Sequence, residues 1–243
     1  KVLFKDTSDS GNVKTATAQS IANLAGSSLV TKTASYTILT TDDKTLFLVS
    51  PSATSTLTLP SSAAAATGFR VGVTRQNATA TSLTVAAAGS DKIFFPANFT
   101  TGLASVKLPT FGDYIWFLNT GSGWIVDNYQ IDCSFKVYGD SGQFQSIPTA
   151  TQTKVEFENA DHDTHGAFDI VTNFRHTPVI PGRYLYTALL NFQAPNNGYS
   201  TICTFYKNGA NVSQMPRLVA VSGQEMIADN TQFFFMNGST DYV

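Results

Sequence analysis

Short apolar runs separated by Ser, Thr, Gly and Pro follow one another along most of the chain. Between residues 45 and 128 they are TLFLV, TLTLP, FRVGVT, SLTVAA, SVKLP, YIWFL and WIVDN. Strand-like runs bounded by turn residues at this spacing are typical of β-sandwiches and β-barrels. Helical periodicity is clear in one segment, TATAQSIANLAG, where Thr17 can cap a helix and Ile21 and Leu24 share a face. The sequence therefore predicts an all-β fold with one short helix.

The same pattern divides the 243 residues into three segments. Residues 1–30 are expected to form a connector of two short strands and the short helix. Residues 31–128 are expected to form a small β domain that closes with a hairpin around a Gly-Ser-Gly turn and contains Trp116 and Trp124. Residues 129–243 are expected to form a second β domain.

The strand that follows the turn TPVIPG has no polar side. In RYLYTALLNF, Tyr184 and Tyr186 lie on one parity, and Leu185 and Leu189 lie on the other. Successive side chains of a strand point to opposite faces, so both faces of this strand are expected to be covered. The run FFFM at 233–236 repeats the pattern. One explanation is an oligomer, and the alternative is a monomer whose own loops cover the strand.

The first two segments resemble parts of tailed-bacteriophage fibre and appendage proteins. FKDTSDSGNVKTATAQSIANL resembles the short connector that precedes fibre domains. The stretch from YTILTT to SDKIF resembles a small phage β domain, with a Leu-x-Leu-Pro strand, a Gly-aromatic step and a late Gly-x-x-Trp hairpin. These are patterns of small and apolar residues and contain no reactive groups.

The third segment resembles the complement-type globular head, which shares the tumour-necrosis-factor-like jelly roll. The matching motifs are AFDIVTNFRHTPVIPGRYLYTALLNF, the turn TFYKNG at 204–209, and NGSTDYV at 237–243, with Asp241 displaced. The resemblance implies a C-terminal jelly-roll β-sandwich assembled as a homotrimer, whose final strand is missing from this sequence. It also implies that both faces of the strand at Tyr184 are covered. The residues expected in the core or the trimer interface are Tyr184, Tyr186, Leu190, Phe192, Phe233, Phe234 and Phe235.

These resemblances imply a structural and adhesive virion protein, a tail fibre or a head fibre, made in the cytoplasm of the host. Its expected partners are itself, other tail or capsid proteins through its N-terminal side, and a glycan or protein of the host surface. Two loops are expected at the tip that faces the host. Their candidate receptor-binding residues are Gln193, Asn196, Asn197, Tyr199 and Gln224. Amides can bind sugar hydroxyls and a Tyr ring can stack on a sugar, although the same residues also suit a plain turn.

Two other functions are consistent with parts of the sequence. A glycan-degrading tailspike fragment would need paired acids, and Glu156 and Glu158 share one side of a strand. A long internal repeat and a G-x-S-x-G motif are both lacking, so no catalytic residue and no enzyme activity are expected. A secreted complement-type head that binds a soluble ligand is the other alternative, and the phage-like first two segments argue against it.

The composition narrows the partners further. Charged residues make up 13% of the chain, against about 25% in typical soluble domains, and the net charge is -2. A surface with so few charged residues attracts phosphate groups only weakly, so no nucleic-acid binding is expected. No apolar run approaches the roughly 18 residues of a spanning helix, so no membrane insertion is expected.

One cluster of metal-ligand side chains occurs, in ADHDTHGAFD. Asp161, His162, Asp163, His165 and Asp169 fall close together, and metal sites use such residues. Asp, His and Gly also suit a polar loop, so no metal and no cofactor are expected. A metal held by three copies at a trimer axis is the alternative. The two cysteines, Cys133 and Cys203, are expected to be buried free thiols, and a framework disulfide is the alternative.

Overall fold

The computed structural model describes residues 2–5, 13–16, 28–77, 82–139, 144–148, 150–193, 198, 200–214, 217–221 and 224–243. Their regular structure is entirely β, which confirms the predicted class. The helix predicted from Thr17 lies outside the described residues. No helix long and apolar enough to cross a membrane is found in the described part of the chain.

Contacts divide the chain into two compact units, residues 1–132 and residues 133–243. The division lies after that expected at 128/129, because the last strand of the first unit continues to Gln130 and Asp132 N–H donates to the carboxylate of Asp113. The first unit begins with an antiparallel pair, β1 (Val2–Lys5) and β2 (Val13–Ala16).

The rest of unit 1 is built from two sheets. The strands are β3 (Ser28–Lys32), β4 (Tyr36–Thr37), β5 (Thr45–Val49), β6 (Ser55–Thr58), β7 (Arg70–Arg75), β8 (Leu83–Ala86), β9 (Ile93–Phe95), β10 (Asn98–Leu103), β11 (Ser105–Leu108), β12 (Tyr114–Asn119) and β13 (Trp124–Gln130). The seven-stranded sheet has the order β10-β9-β13-β12-β7-β5-β3, and the four-stranded sheet has the order β11-β8-β6-β4.

The first six of these strands wind alternately between the two sheets. β3, β5 and β7 are parallel neighbours in one sheet, and β4, β6 and β8 are parallel neighbours in the other. Antiparallel β12 and β11 then pair with β7 and β8. Parallel pairing needs a crossover, and here each crossover is a strand of the opposite sheet.

Buried polar groups fix the ends of this winding. The guanidinium of Arg75, at the end of β7, is buried and donates to the carbonyl oxygens of Asn77, Leu108 and Pro109. The amide of Asn119, at the end of β12, is also buried and donates to three carbonyl oxygens of the turn at 62–66. Each group thus satisfies several backbone acceptors at buried or part-buried sites.

Unit 2 consists of antiparallel pairs. Its strands are β14 (Phe135–Tyr138), β15 (Asn159–Asp163), β16 (Phe168–Asp169), β17 (Arg175–His176), β18 (Gly182–Phe192), β19 (Ser200–Thr201), β20 (Thr204–Lys207), β21 (Ala210–Gln214), β22 (Leu218–Val219) and β23 (Met226–Met236). The last six strands are nested, because β18 pairs with β23, β19 with β22 and β20 with β21. The innermost turn is Asn208-Gly209, where both residues have positive φ, as a two-residue hairpin requires.

Residues 237–243, which we name the C-terminal segment, are joined to that innermost turn and to β17. The carboxylate of Asp241 accepts from Lys207 Nζ and from Asn208 Nδ2. The N–H and C=O of Val243 both pair with the backbone of His176. The segment therefore connects parts of unit 2 that are far apart in the sequence.

Candidate assembly and receptor surfaces

The longest pairing in unit 2 joins β18 to β23. It runs without a register break from Gly182 opposite Met236 to Phe192 opposite Met226. The two strands are the whole of their sheet among the described residues. They form a ribbon with one side toward the core of unit 2 and one side away from it.

The inner side of the ribbon carries five of the seven residues predicted for the core or the interface. Tyr186 and Phe234 are buried, and Tyr184 packs against the cluster that they form with Met236. Leu190 and Phe192 pack on a second cluster around Cys203 and Ala228. Even-numbered positions of β18 thus supply the core of this unit.

The outer side of the ribbon carries the other two predicted residues, Phe233 and Phe235. Phe233 is 70% exposed and Phe235 is 44% exposed. Sequence reasoning did not select Leu185, Leu189 and Ile227 for this surface, although the parity of Leu185 and Leu189 signalled it. The outer side of the ribbon, which we name the ribbon face, consists of Arg183, Leu185, Thr187, Leu189, Asn191, Ile227, Asp229, Thr231, Phe233 and Phe235.

Apolar exposure differs between the two units. Among the described residues, unit 1 has 19 buried hydrophobic residues and 5 exposed large ones, whereas unit 2 has 8 buried and 14 exposed. Single exposed apolar side chains are normal, but contiguous apolar patches mark interaction sites. On the ribbon face Leu185 lies directly opposite Phe233, so exposed apolar side chains adjoin there among polar ones.

The two predicted tip loops are neighbours. β19 pairs with β22, and Gly198 N–H donates to the carbonyl oxygen of Ala220 at 3.1 Å. Gln193 and Gln224 are exposed. Asn196, Asn197 and Tyr199 lie outside the described residues. Exposed Val219 and Val221 adjoin the two loops, and sequence reasoning did not select them.

The cluster from Asp161 to Asp169 has structural contacts. Asp161 pairs with Lys136 Nζ at 2.9 Å, and this hydrogen bond holds the pKa of Asp161 below its usual range. The carboxylate of Asp163 accepts from the N–H groups of His165 and Phe168. The carboxylate of Asp169 accepts from backbone N–H groups at 171–173, which lower its pKa. No three described His, Cys, Asp or Glu side chains are arranged to hold a metal ion.

A small cavity lies beside this cluster. Its lining includes Cys133, Asp163, His165, His176 and Tyr184. The Sγ of Cys133 lies 3.7 Å from Nε2 of His165. Of these residues, the predicted cluster contained Asp163 and His165, while His176 was missed because it is distant in the sequence from the rest of the cluster.

Glu156 and Glu158, the candidate acid pair, are both exposed and alternate with half-buried Val155 and Phe157. They do not line the cavity described above. Neither Cys133 nor Cys203 forms a disulfide. Cys203 is buried, as predicted, and burial raises its pKa, whereas Cys133 is half-buried and not buried as predicted.

No protein-family model matches this chain, and no curated protein matches it.

Proposed function

We propose that the chain is a structural and adhesive virion fibre protein of a tailed bacteriophage, which assembles as a homotrimer and binds the host surface without turnover. Unit 2 is its jelly-roll head, and unit 1 is a β domain on the side of the virion. The order of the phage-like and head-like motifs in the sequence supports the assignment to a fibre.

The observation that carries the proposal is the exposed ribbon face. Among the described residues, unit 1 buries far more hydrophobic residues than it leaves exposed, but unit 2 leaves more large apolar residues exposed than it buries. Burying such area is worth roughly 25 cal/mol per Å², which favours association with further copies of the same surface. A fibre made of identical chains supplies these copies.

The strand pairing of unit 2 supports the jelly-roll assignment. A jelly roll is a long antiparallel hairpin wrapped into two sheets, so its strands pair first with last and inward from there. The pairs β18-β23, β19-β22 and β20-β21 follow that order. Gln193 and Gln224 lie in the two neighbouring tip loops and are assigned to the receptor contact.

The assembly is tested with the whole chain by analytical ultracentrifugation at micromolar concentration. The natural sequence is expected to sediment as a trimer, and the double variant Leu185→Asp with Phe233→Asp as a monomer. Both positions are more than half exposed in the single chain, so Asp costs the isolated fold little. Val171→Asp is the matched control, since Val171 is 78% exposed and lies off the ribbon face. A monomeric natural sequence, or a double variant that remains trimeric, would exclude this interface.

Adhesion is tested separately. Purified trimer is expected to compete with phage particles for adsorption to the host strain. The trimeric variant Gln193→Ala with Gln224→Ala is expected to compete more weakly, because each amide can form hydrogen bonds with sugar hydroxyls. Undiminished competition by that variant would remove these two loops from the receptor site. Absence of competition by the natural trimer would contradict adhesion itself.

A further inference from the structure

The imidazole of His176 is enclosed in the core of unit 2. The residue is 3% exposed, and its ring stacks on Phe135 with centroids 4.2 Å apart and planes at 21°. Nδ1 lies 2.8 Å from the hydroxyl of Tyr186. An apolar stack and one hydroxyl partner suit a neutral ring and give little solvation to a charged one.

The backbone of the same residue holds the C-terminal segment. His176 N–H donates to the carbonyl oxygen of Val243 at 2.9 Å, and Val243 N–H donates back at 3.0 Å. The preceding residue, Arg175, stacks its guanidinium on the ring of Tyr242 at 4.2 Å. Val243 also packs against the cluster that contains Tyr186. A shift of His176 toward water therefore disturbs the pairing with Val243.

We propose that His176 is an acid-sensitive switch that releases the C-terminal segment, residues 237–243, from β17 when its imidazole takes up a proton. The switch acts within the head and does not depend on the fibre assignment.

The groups that face the switch come from several elements. They are Cys133 before β14, Asp163 and His165 in and after β15, Arg175 in β17, Tyr184 and Tyr186 in β18, Lys207 in β20, and Asp241 in the C-terminal segment. Burial lowers the pKa of His176 to about 4, Asp163 opposes that shift, and His165 adds to it. The buried ring thus stays neutral while a hydrated imidazole, with a pKa near 6.5, becomes charged.

The sign of the pH dependence follows from this difference. Above about pH 6.5 neither form binds the proton, and the closed form has its full stability. As the pH falls from about 6.5 to 4, the open form binds the proton and the closed form does not, so each pH unit shifts the equilibrium up to about tenfold toward opening. Burial alone would raise the pKa of Asp241, but hydrogen bonds from Asn208 and Lys207 outweigh burial and lower it. Asp241 therefore protonates below this window.

Hydrogen exchange of the whole assembled protein tests the switch, with exchange corrected for its intrinsic pH dependence. Protection of the peptide that covers residues 237–243 is expected to fall by up to about tenfold per pH unit below 6.5. Protection of a β7 peptide in unit 1 is expected to stay constant. The chain has three histidines, so His162→Gln and His165→Gln are matched controls that should retain the dependence.

His176→Gln is expected to abolish the pH dependence of the segment. If that variant does not fold, the double variant His162→Gln with His165→Gln decides, because His176 is then the sole histidine and a pH dependence below 6.5 should persist. Protection that does not change between pH 6.5 and 4, or a dependence that disappears with His165 and persists without His176, would overturn the proposal.

Discussion

Arg75 illustrates how a single side chain closes unit 1. It is 2% exposed, and its three hydrogen bonds reach carbonyl oxygens on two separate segments, at Asn77 and at Leu108 and Pro109. A guanidinium carries several N–H donors in one plane, so one arginine can satisfy acceptors that a lysine could not reach together. Burying the charge of Arg75 costs free energy, and these hydrogen bonds offset that cost.

Replacing Arg75 by Met is expected to destabilise unit 1 by about 2–5 kcal/mol, because one buried and two part-buried carbonyl oxygens lose the hydrogen bonds that Arg75 donates. Urea unfolding followed by tryptophan fluorescence measures this, since Trp116 and Trp124 both lie in unit 1. Arg70→Met on the same strand is the control. Arg70 pairs with Asp127 at a half-exposed site, so its loss should cost about 1 kcal/mol or less. Equal effects of the two variants would contradict this role of Arg75.

At the scale of elements, the C-terminal segment depends on a glycine. Gly238 has φ +76°, and a Cβ there would lie 2.3 Å from the backbone nitrogen of Pro181. Its positive φ and the close approach of a neighbouring chain segment both require the absence of a side chain. Asn237 supports the same turn, because its side-chain oxygen accepts the N–H groups of Ser239, Thr240 and Asp241.

Gly238→Ala is expected to detach the C-terminal segment and to lower the urea midpoint of unit 2. Gly166→Ala is the matched control, because Gly166 has φ +64° but no atom within 4 Å of the added Cβ. Both variants place Ala at a positive φ and lose unfolding free energy for that reason. The additional loss in Gly238→Ala, about 1–3 kcal/mol, therefore measures the steric contact with Pro181. Near-ultraviolet circular dichroism of the tyrosines in unit 2 is the measurement. Equal urea midpoints for the two variants would show that the C-terminal segment accommodates the added Cβ without a loss of stability.

At the scale of the whole molecule, the two units differ in how they obtain their stability. Unit 1 places a core of large side chains between two sheets, with Phe47, Phe117 and Trp124 fully buried. The core of unit 2 is smaller and is organised around Tyr186, Phe234 and Met236. If copies of unit 2 cover the ribbon face of one another, the stability of unit 2 depends on protein concentration and that of unit 1 does not.

Differential scanning calorimetry of the whole chain is expected to give two transitions. The transition of unit 2 should rise by several degrees for a tenfold increase in protein concentration, because association stabilises only the associating unit. The transition of unit 1 should stay fixed. Tryptophan fluorescence identifies unit 1, and the variant Leu185→Asp with Phe233→Asp should lose the concentration dependence. Two transitions that both ignore concentration would argue against assembly through unit 2.

The sequence by itself determined the local features of this protein. Period-two patterning and turn residues predicted an all-β chain, because strand alternation depends on neighbouring residues alone. The turn at Asn208-Gly209 was implied by the resemblance to the complement-type head, and both of its residues have the positive φ of a two-residue hairpin. Leu185 and Leu189 already indicated a strand with apolar side chains on both faces. The exposure of that side in the single chain became visible only with the paired strands.

The tertiary structure alone decided which distant segments meet. The parallel winding of unit 1 leaves no sequence repeat, because Ser28 pairs with Thr45 and Thr45 with Val71, so successive turns differ in length. Pairing of His176 with Val243 joins residues that no local pattern relates. The predicted ligand cluster likewise gained its contacts from Lys136 and Cys133, which lie on another strand and another segment. Such contacts require residues that are distant in the sequence to come together, and the residue types at a contact do not show which distant segment each will meet.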